Sequence, residues 1–164
     1  MLFLCQKNIF AAYLVNAIVK NCYDGDTCTV LLNNNISRKI RLMGIDAPEL
    51  PRGRQLGQFY AYESTMYLNQ AIKSKTVQLL VFNKDRYQRL LTEIYLDNRN
   101  INIEMLTTGN AEVYKGKNNK QINIDQYLEY EKFAKNKHLG IWHNQNYISP
   151  YYYRKINKNH LNGK

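Results

Sequence analysis

The chain has 164 residues, of which 45% are hydrophobic, and a formal net charge of +10. That length supports one domain with a real core and excludes a disordered polar tail. The excess of 23 Lys and Arg over 13 Asp and Glu, with 14 Tyr and 5 Phe, points to a polyanionic partner, with aromatic rings suited to stacking on bases. No apolar run reaches the length of a membrane span. The N-terminal "MLFLCQKNIFAAYLV" is a poor signal peptide, because Gln6, Lys7 and Asn8 interrupt its apolar residues.

In chain order, "AAYLVNAIVKNCY" reads as a strand with Tyr13, Val15 and Ile18 among its apolar positions. Asp24-Gly25 is a hairpin turn signal, and "TCTVLLN" returns as the second strand. Asn33-Asn34-Asn35 marks a second turn, and "SRKIRLMGI" is a third strand. The segment "DAPELPRGRQLGQ" is a loop. "FYAYESTMYLNQAIKS" has helical spacing, with Tyr60, Ala61, Met66, Leu68 and Ile72 apolar. "TVQLLVF" and "RLLTEIYL" are strands, the latter closed by Asp97-Asn98. "INIEMLTTGN" is a short helix ended by Gly109, and "QINIDQYLEYEKFAKNKHLGIW" is a longer one, with Asn123 and Gln126 as a capping pair and Gly140 as its stop. From His143 onward the chain is Asn-rich, basic and aromatic and reads as irregular and solvated. Five short strands and about three helices make an α+β, mainly β fold, a Greek-key OB barrel, the architecture that commonly binds oligonucleotides.

Cys5, Cys22 and Cys28 form no CxxC pair, which argues against a zinc site. Cys22 and Cys28 flank the first hairpin turn. Two buried thiols are the default expectation, and a disulfide across the hairpin is the alternative.

Asp24 and Gly25 are explained by a turn, but Asp26 is not. Three motifs occur in order: "DGDT" at 24–27, "RLMGIDAPE" at 41–49 and "DRYQR" at 85–89. Together with "GNAEVY" and "LGIW" they resemble the staphylococcal nuclease (thermonuclease) family over roughly residues 13–142. This leaves 1–12 as an N-terminal extension and 143–164 as a C-terminal tail. The chemistry is coherent in its own terms. Carboxylates are hard ligands for calcium, a third acid can serve a water, and guanidiniums fit phosphate with a planar fork that stays charged.

The resemblance implies a calcium-dependent nuclease of low sequence preference, acting on DNA, with RNA as a second candidate substrate. Asp26, Asp46 and the Ala47 carbonyl would bind one Ca²⁺, and Asp24 would support them from behind. Glu49 would serve the attacking water. Arg41 and Arg89 would stabilise the transition state, with Arg89 also facing the leaving oxygen. Arg86 and Tyr87 would hold a terminal phosphate, and Tyr114 would stack on a base. The family often has Gly where Gln88 stands. In the loop and tail, Arg52, Arg54, Arg154, Lys155, Lys158 and Lys164 are further cations, those of the tail expected to add non-specific phosphate affinity. A monomer is expected, and family habit with calcium use favours a secreted or periplasmic site. The competing reading is an OB-fold module that grips single strands without cutting.

Overall fold

The computed structural model describes residues 11–33, 35–53, 55–116 and 121–162. Cys5, Asn34, Arg54 and Lys164, and nearly all of the N-terminal extension, lie outside the described residues. Five strands form the barrel: β1 (Tyr13–Cys22), β2 (Thr27–Leu32), β3 (Ser37–Leu42), β5 (Thr76–Lys84) and β6 (Leu90–Leu96). They follow the order β3-β2-β1-β5-β6, and a parallel pairing of β3 with β6 closes the ring, Ile40 against Leu90 and Leu42 against Thr92. Closure removes the open sheet edges. The fold is therefore the expected α+β OB barrel.

Three two-residue strands were not expected: β4 (Ile45–Asp46), β7 (Arg99–Asn100) and β8 (Glu112–Val113). The third strand stops at Leu42 rather than Ile45, because the chain turns through Met43 and Gly44 before β4 pairs with β8. Strand period decides the core. Ala17 and Val19 on β1 are buried, whereas Ile18 between them points outward, since successive side chains face opposite sides of a sheet; Tyr13, at the start of the strand, is exposed although it shares their face. Val19, Val30, Ile40, Leu79 and Ile94 are fully buried in the barrel. Each such side chain contributes about 1.5–3 kcal/mol of burial.

Helix α1 (Ala61–Ile72) buries Ala61, Ser64, Leu68 and Ile72, a helical stripe, and leaves Met66 exposed. Its Asn69 clamps the first hairpin, accepting the Cys22 N–H at 3.0 Å and donating to the Cys22 carbonyl at 2.9 Å. Helix α2 (Ile101–Thr107) is capped by Asn100, which accepts the Ile103 N–H. Its buried Asn102 donates to the carbonyls of Met43 and Thr92 and accepts the Ile94 N–H, joining the β3–β4 turn to β6.

Helix α3 (Ile124–Asn136) is capped by Asn123, which accepts the Gln126 N–H. It ends earlier than expected, at Asn136, with His138 in the left-handed region before Gly140. Gly140 matters elsewhere. A Cβ there would lie 2.0 Å from the Gly109 carbonyl oxygen, and one on Gly109 would lie 2.2 Å from the Leu139 carbonyl oxygen. The two glycines let the ends of α2 and α3 touch, backbone to backbone.

Two expectations are corrected here. The tail is not irregular: residues Pro150–Asn162 form a fourth helix, α4, preceded by a 3₁₀ turn at Gly140–His143. Cys22 and Cys28 are not free thiols. They face each other in the β1–β2 register and are joined by a disulfide.

Candidate active site

The loop at 23–26 is shaped by its own aspartate. Asp24 Oδ1 accepts the Asp26 N–H at 3.0 Å, so Asp24 fixes the turn from which Asp26 emerges. Gly25 is required by packing: a Cβ there would sit 1.9 Å from Ser64 Oγ and 2.6 Å from the Ala47 Cβ. The glycine thus brings the Asp26 loop into contact with the Asp46–Ala47 segment. Asp26 Oδ2 accepts the Ala47 N–H at 2.8 Å across that contact.

Asp46 is on β4, whose pairing with β8 buries it completely. Arg41, on β3, lies between the two acids, ion-paired with Asp26 and with Asp46 Oδ1, the latter at 2.9 Å. Burial pushes the Asp26 carboxyl up to about 7, against the opposing pull of Arg41. Burial also raises Asp46, against the hydrogen bond from Arg154 and the charge of Arg41. Desolvation opposes the charge on Arg41, yet its two aspartates hold its pKa above the ordinary value.

Arg89 immediately precedes β6, after a tight turn held by Asp85. Asp85 accepts the N–H groups of Tyr87 and Arg89, and its Oδ2 accepts Arg89 Nε at 2.7 Å. Gln88 in that turn has φ 63°, the left-handed conformation that glycine adopts at least cost. Arg89 Nη1 donates to Thr27 Oγ1 at 3.3 Å, and Thr27 Oγ1 donates to Asp26 Oδ1 at 3.0 Å. At the other side, Glu49 follows β4, with its N–H held by Gln58 Oε1 at 3.0 Å.

One arginine completes the set from an unexpected place. Arg154, on α4, donates to Asp46 Oδ1 at 3.0 Å, to Asp46 Oδ2 at 2.7 Å and to Glu49 Oε1 at 2.6 Å. A continuous hydrogen-bonded and ion-paired path therefore runs Arg89–Thr27–Asp26–Arg41–Asp46–Arg154–Glu49. All five of the acids and arginines central to the sequence pattern lie on it, drawn from the three separate motifs at 24–27, 41–49 and 85–89. Thr27, Gln58 and Arg154 were not assigned to the site from sequence. Thr27 stood inside "DGDT". For α4, the signal was Ser149-Pro150, a cap residue followed by the residue favoured at the first helical position.

The remaining candidates are peripheral. Tyr87 and Arg86 are exposed, stacked on each other with the Arg86 guanidinium carbon 4.7 Å from the ring centre, and Arg89 also approaches that ring at 5.5 Å. Tyr114 is half-buried just after β8, and its N–H donates to the Gly44 carbonyl. Gly116 packs under its ring. Among the described residues no group of three or more His, Cys, Asp or Glu converges on one point. The donor set available to a cation is thus two carboxylates plus backbone and solvent oxygen. It is an all-oxygen set, which suits a hard divalent ion such as calcium.

The fold and site define the class as a closed OB barrel with acids and arginines gathered at one place. The family follows from comparison. The chain matches the model for staphylococcal nuclease homologues over residues 39–144, and it belongs to that family. It is 38% identical to an uncharacterized endonuclease of Haemophilus influenzae over 82% of this chain and 70% of that protein. It is 31% identical to an uncharacterized endonuclease of Escherichia coli over 94% of both. It is 35% identical to a probable endonuclease of Talaromyces marneffei, over 63% of this chain but 34% of that protein, so it spans about a third of that fungal relative.

Proposed function

We propose that this chain is a calcium-dependent endonuclease that hydrolyses phosphodiester bonds of DNA, and of RNA as a second substrate, with little sequence preference. The observation that carries the reading is the continuous path from Arg89 to Glu49, which joins the acid and arginine positions of the sequence pattern in one network.

In this reading Asp26, Asp46 and the Ala47 carbonyl hold one calcium ion. When bound, the ion supplies positive charge to a phosphate oxygen. Asp24 keeps Asp26 in place by accepting its N–H. Arg41 and Arg89 present guanidinium forks to the non-bridging oxygens, and Arg89 also faces the leaving oxygen. Such donors act where charge develops in the transition state. Glu49 takes a proton from the attacking water. The new P–O bond to that water forms as the P–O bond to the leaving sugar oxygen breaks, and the leaving oxygen takes its proton from solvent. Arg86 and Tyr87, exposed beside Arg89, meet a terminal phosphate, and Tyr114 stacks on a base. The Cys22–Cys28 disulfide favours action in an oxidising compartment, secreted or periplasmic.

The test is conversion of supercoiled plasmid to nicked and linear forms, with calcium and with chelator. Cleavage with calcium that stops in chelator, and that Glu49→Gln abolishes, is the expected result. Retention of DNA with no cleavage under any divalent cation would overturn the enzyme reading in favour of a binding module.

A further inference from the structure

Helix α4 is pinned to the site at its start. Ser149 Oγ donates to the fully buried Glu112, which is the register partner of Asp46 in the β4–β8 pair. Gln58 Nε2 donates to the Ile148 carbonyl at 2.6 Å, while the same side chain's Oε1 holds the Glu49 N–H. Lys115 lies 5.8 Å from the centre of the Tyr152 ring. The helix thus enters against both strands of the site, and its second turn places Arg154 over Asp46 and Glu49.

The Arg154 guanidinium contacts both oxygens of Asp46 and one of Glu49. Arg41 already occupies Asp46 Oδ1 from the other side. Asp46 therefore has no oxygen without a guanidinium partner. A cation that binds Asp46 meets the Arg154 charge against both of its oxygens, and the same guanidinium on Glu49 Oε1 opposes that acid's taking a proton. The Arg154 side chain is 39% exposed, so it has solvent into which it can swing.

We infer that Arg154 is an intramolecular competitor of the metal: it occupies Asp46 and Glu49 in the calcium-free enzyme and sets the calcium concentration at which the site opens. The inference rests on the calcium reading above. The competition is one of charge on shared oxygens. A fork that makes charge-assisted bonds to two carboxylates is a stronger rival than a point charge.

The experiment is calorimetric titration of calcium into the full-length protein without nucleic acid. It compares wild type with Arg154→Ala, Arg154→Lys and Lys155→Ala, each first checked for an unchanged far-ultraviolet spectrum. Lys155 serves as control. It is exposed on the same helix, its ammonium sits 4.4 Å from the centre of the Tyr151 ring, and its loss changes the net charge equally. Arg154→Ala is expected to bind calcium at least about tenfold more tightly, the scale of one charge-assisted bond lost to the competitor. Arg154→Lys should lie between it and wild type, and Lys155→Ala should match wild type. Equal or weaker binding by Arg154→Ala, or equal tightening by Lys155→Ala, overturns the competition while leaving calcium binding in place. Absence of calcium binding in wild type and Arg154→Ala alike overturns the calcium reading itself, and the competition with it.

Discussion

Asp85 grips Arg89 twice, through the guanidinium Nε at 2.7 Å and the backbone N–H at 3.0 Å. The carboxylate thereby fixes both the strand start and the direction of the side chain that follows. Burial pushes the Asp85 pKa up, but the hydrogen bonds and charge of Arg89 outweigh it and hold the carboxyl below its ordinary value. A carboxyl so depressed stabilises the fold above its unfolded pKa, near pH 4, and that contribution disappears as pH falls through the folded value. Asp85→Asn should therefore melt below wild type at pH 7, with the gap closing as pH drops below about 4. Melting curves across pH 2–8, a range set by the carboxylate pKa, check this. A gap that stays constant across that range would contradict it.

Removing either site arginine should be costly to rate. Arg41→Ala and Arg89→Ala are each expected to lower turnover by at least about two orders of magnitude. Lysine should restore little, because an ammonium cannot present a bidentate fork. Initial rates on a fluorogenic oligonucleotide decide the matter. Near-normal turnover in both alanine variants would remove these residues from the chemistry. Arg41→Ala carries a second effect, since it leaves two buried aspartates facing each other without their shared cation.

Gly25→Ala should damage the site through packing alone. Its new methyl would meet Ser64 Oγ and the Ala47 Cβ well inside contact distance, and overpacking of this kind costs about 1–3 kcal/mol. The loop bearing Asp26 would have to move away from Ala47, breaking the bond between Asp26 Oδ2 and the Ala47 N–H. Both melting temperature and cleavage rate should fall. A fully active, fully stable variant would mean that the loop yields without cost.

Asn102→Ala should be among the most destabilising changes remote from the site. It removes the Asn102 partner of the Ile94 N–H and of the Met43 carbonyl, both buried, and one of the two partners of the Thr92 carbonyl, which keeps the Met43 N–H. Each buried group left unsatisfied costs about 1–3 kcal/mol. Denaturant unfolding should show a loss of about 3 kcal/mol or more on that scale. A loss under 1 kcal/mol would be inconsistent with the role.

Reducing the disulfide should lower stability more than it disturbs the core. Cys22 and Cys28 close a short loop around Asp24, Gly25 and Asp26. The chain-entropy relation gives about 2 kcal/mol for so small a ring. Cys22→Ser with Cys28→Ser, melted beside wild type with and without reductant, should reproduce the reduced protein. Identical melting of oxidised and reduced wild type would show that the bond contributes nothing.

The barrel was legible, and so were the acids and arginines that the structure joins, because their signals are local. The apolar run of β1, the Asp24-Gly25 turn and the ordered acids and arginines can each be read within a few residues, although the run did not show that Ala17 and Val19 face the core while Ile18 faces out. What escaped was set by tertiary contact. The strands β4 and β8 are two residues each and exist only because Ile45 meets Val113 and Asp46 meets Glu112. The disulfide remained open because two cysteines beside a turn fit either state. Helix α4 was hidden by Asn, Lys and Tyr, whose composition suggests a solvated tail. It is held by Glu112, Gln58 and Asp46, residues far away in sequence. Gly140 stops no helix: the turn is made at His138, and the glycine is there for Gly109.

The parallel seam of the barrel has a consequence for the order in which the protein becomes dangerous to nucleic acid. Ile40 pairs with Leu90 and Arg41 with Leu91, partners fifty positions apart, whereas the hairpins join near neighbours. Distant pairings carry a loop-closure cost that must be met before they yield contacts. Arg41 and Arg89 sit at this seam, so the two arginines come together only when the ring shuts. A nascent or partly unfolded chain has both but cannot use them jointly. On the roles proposed for these two arginines, cutting competence arrives with the completed fold and leaves with the first opening of the seam.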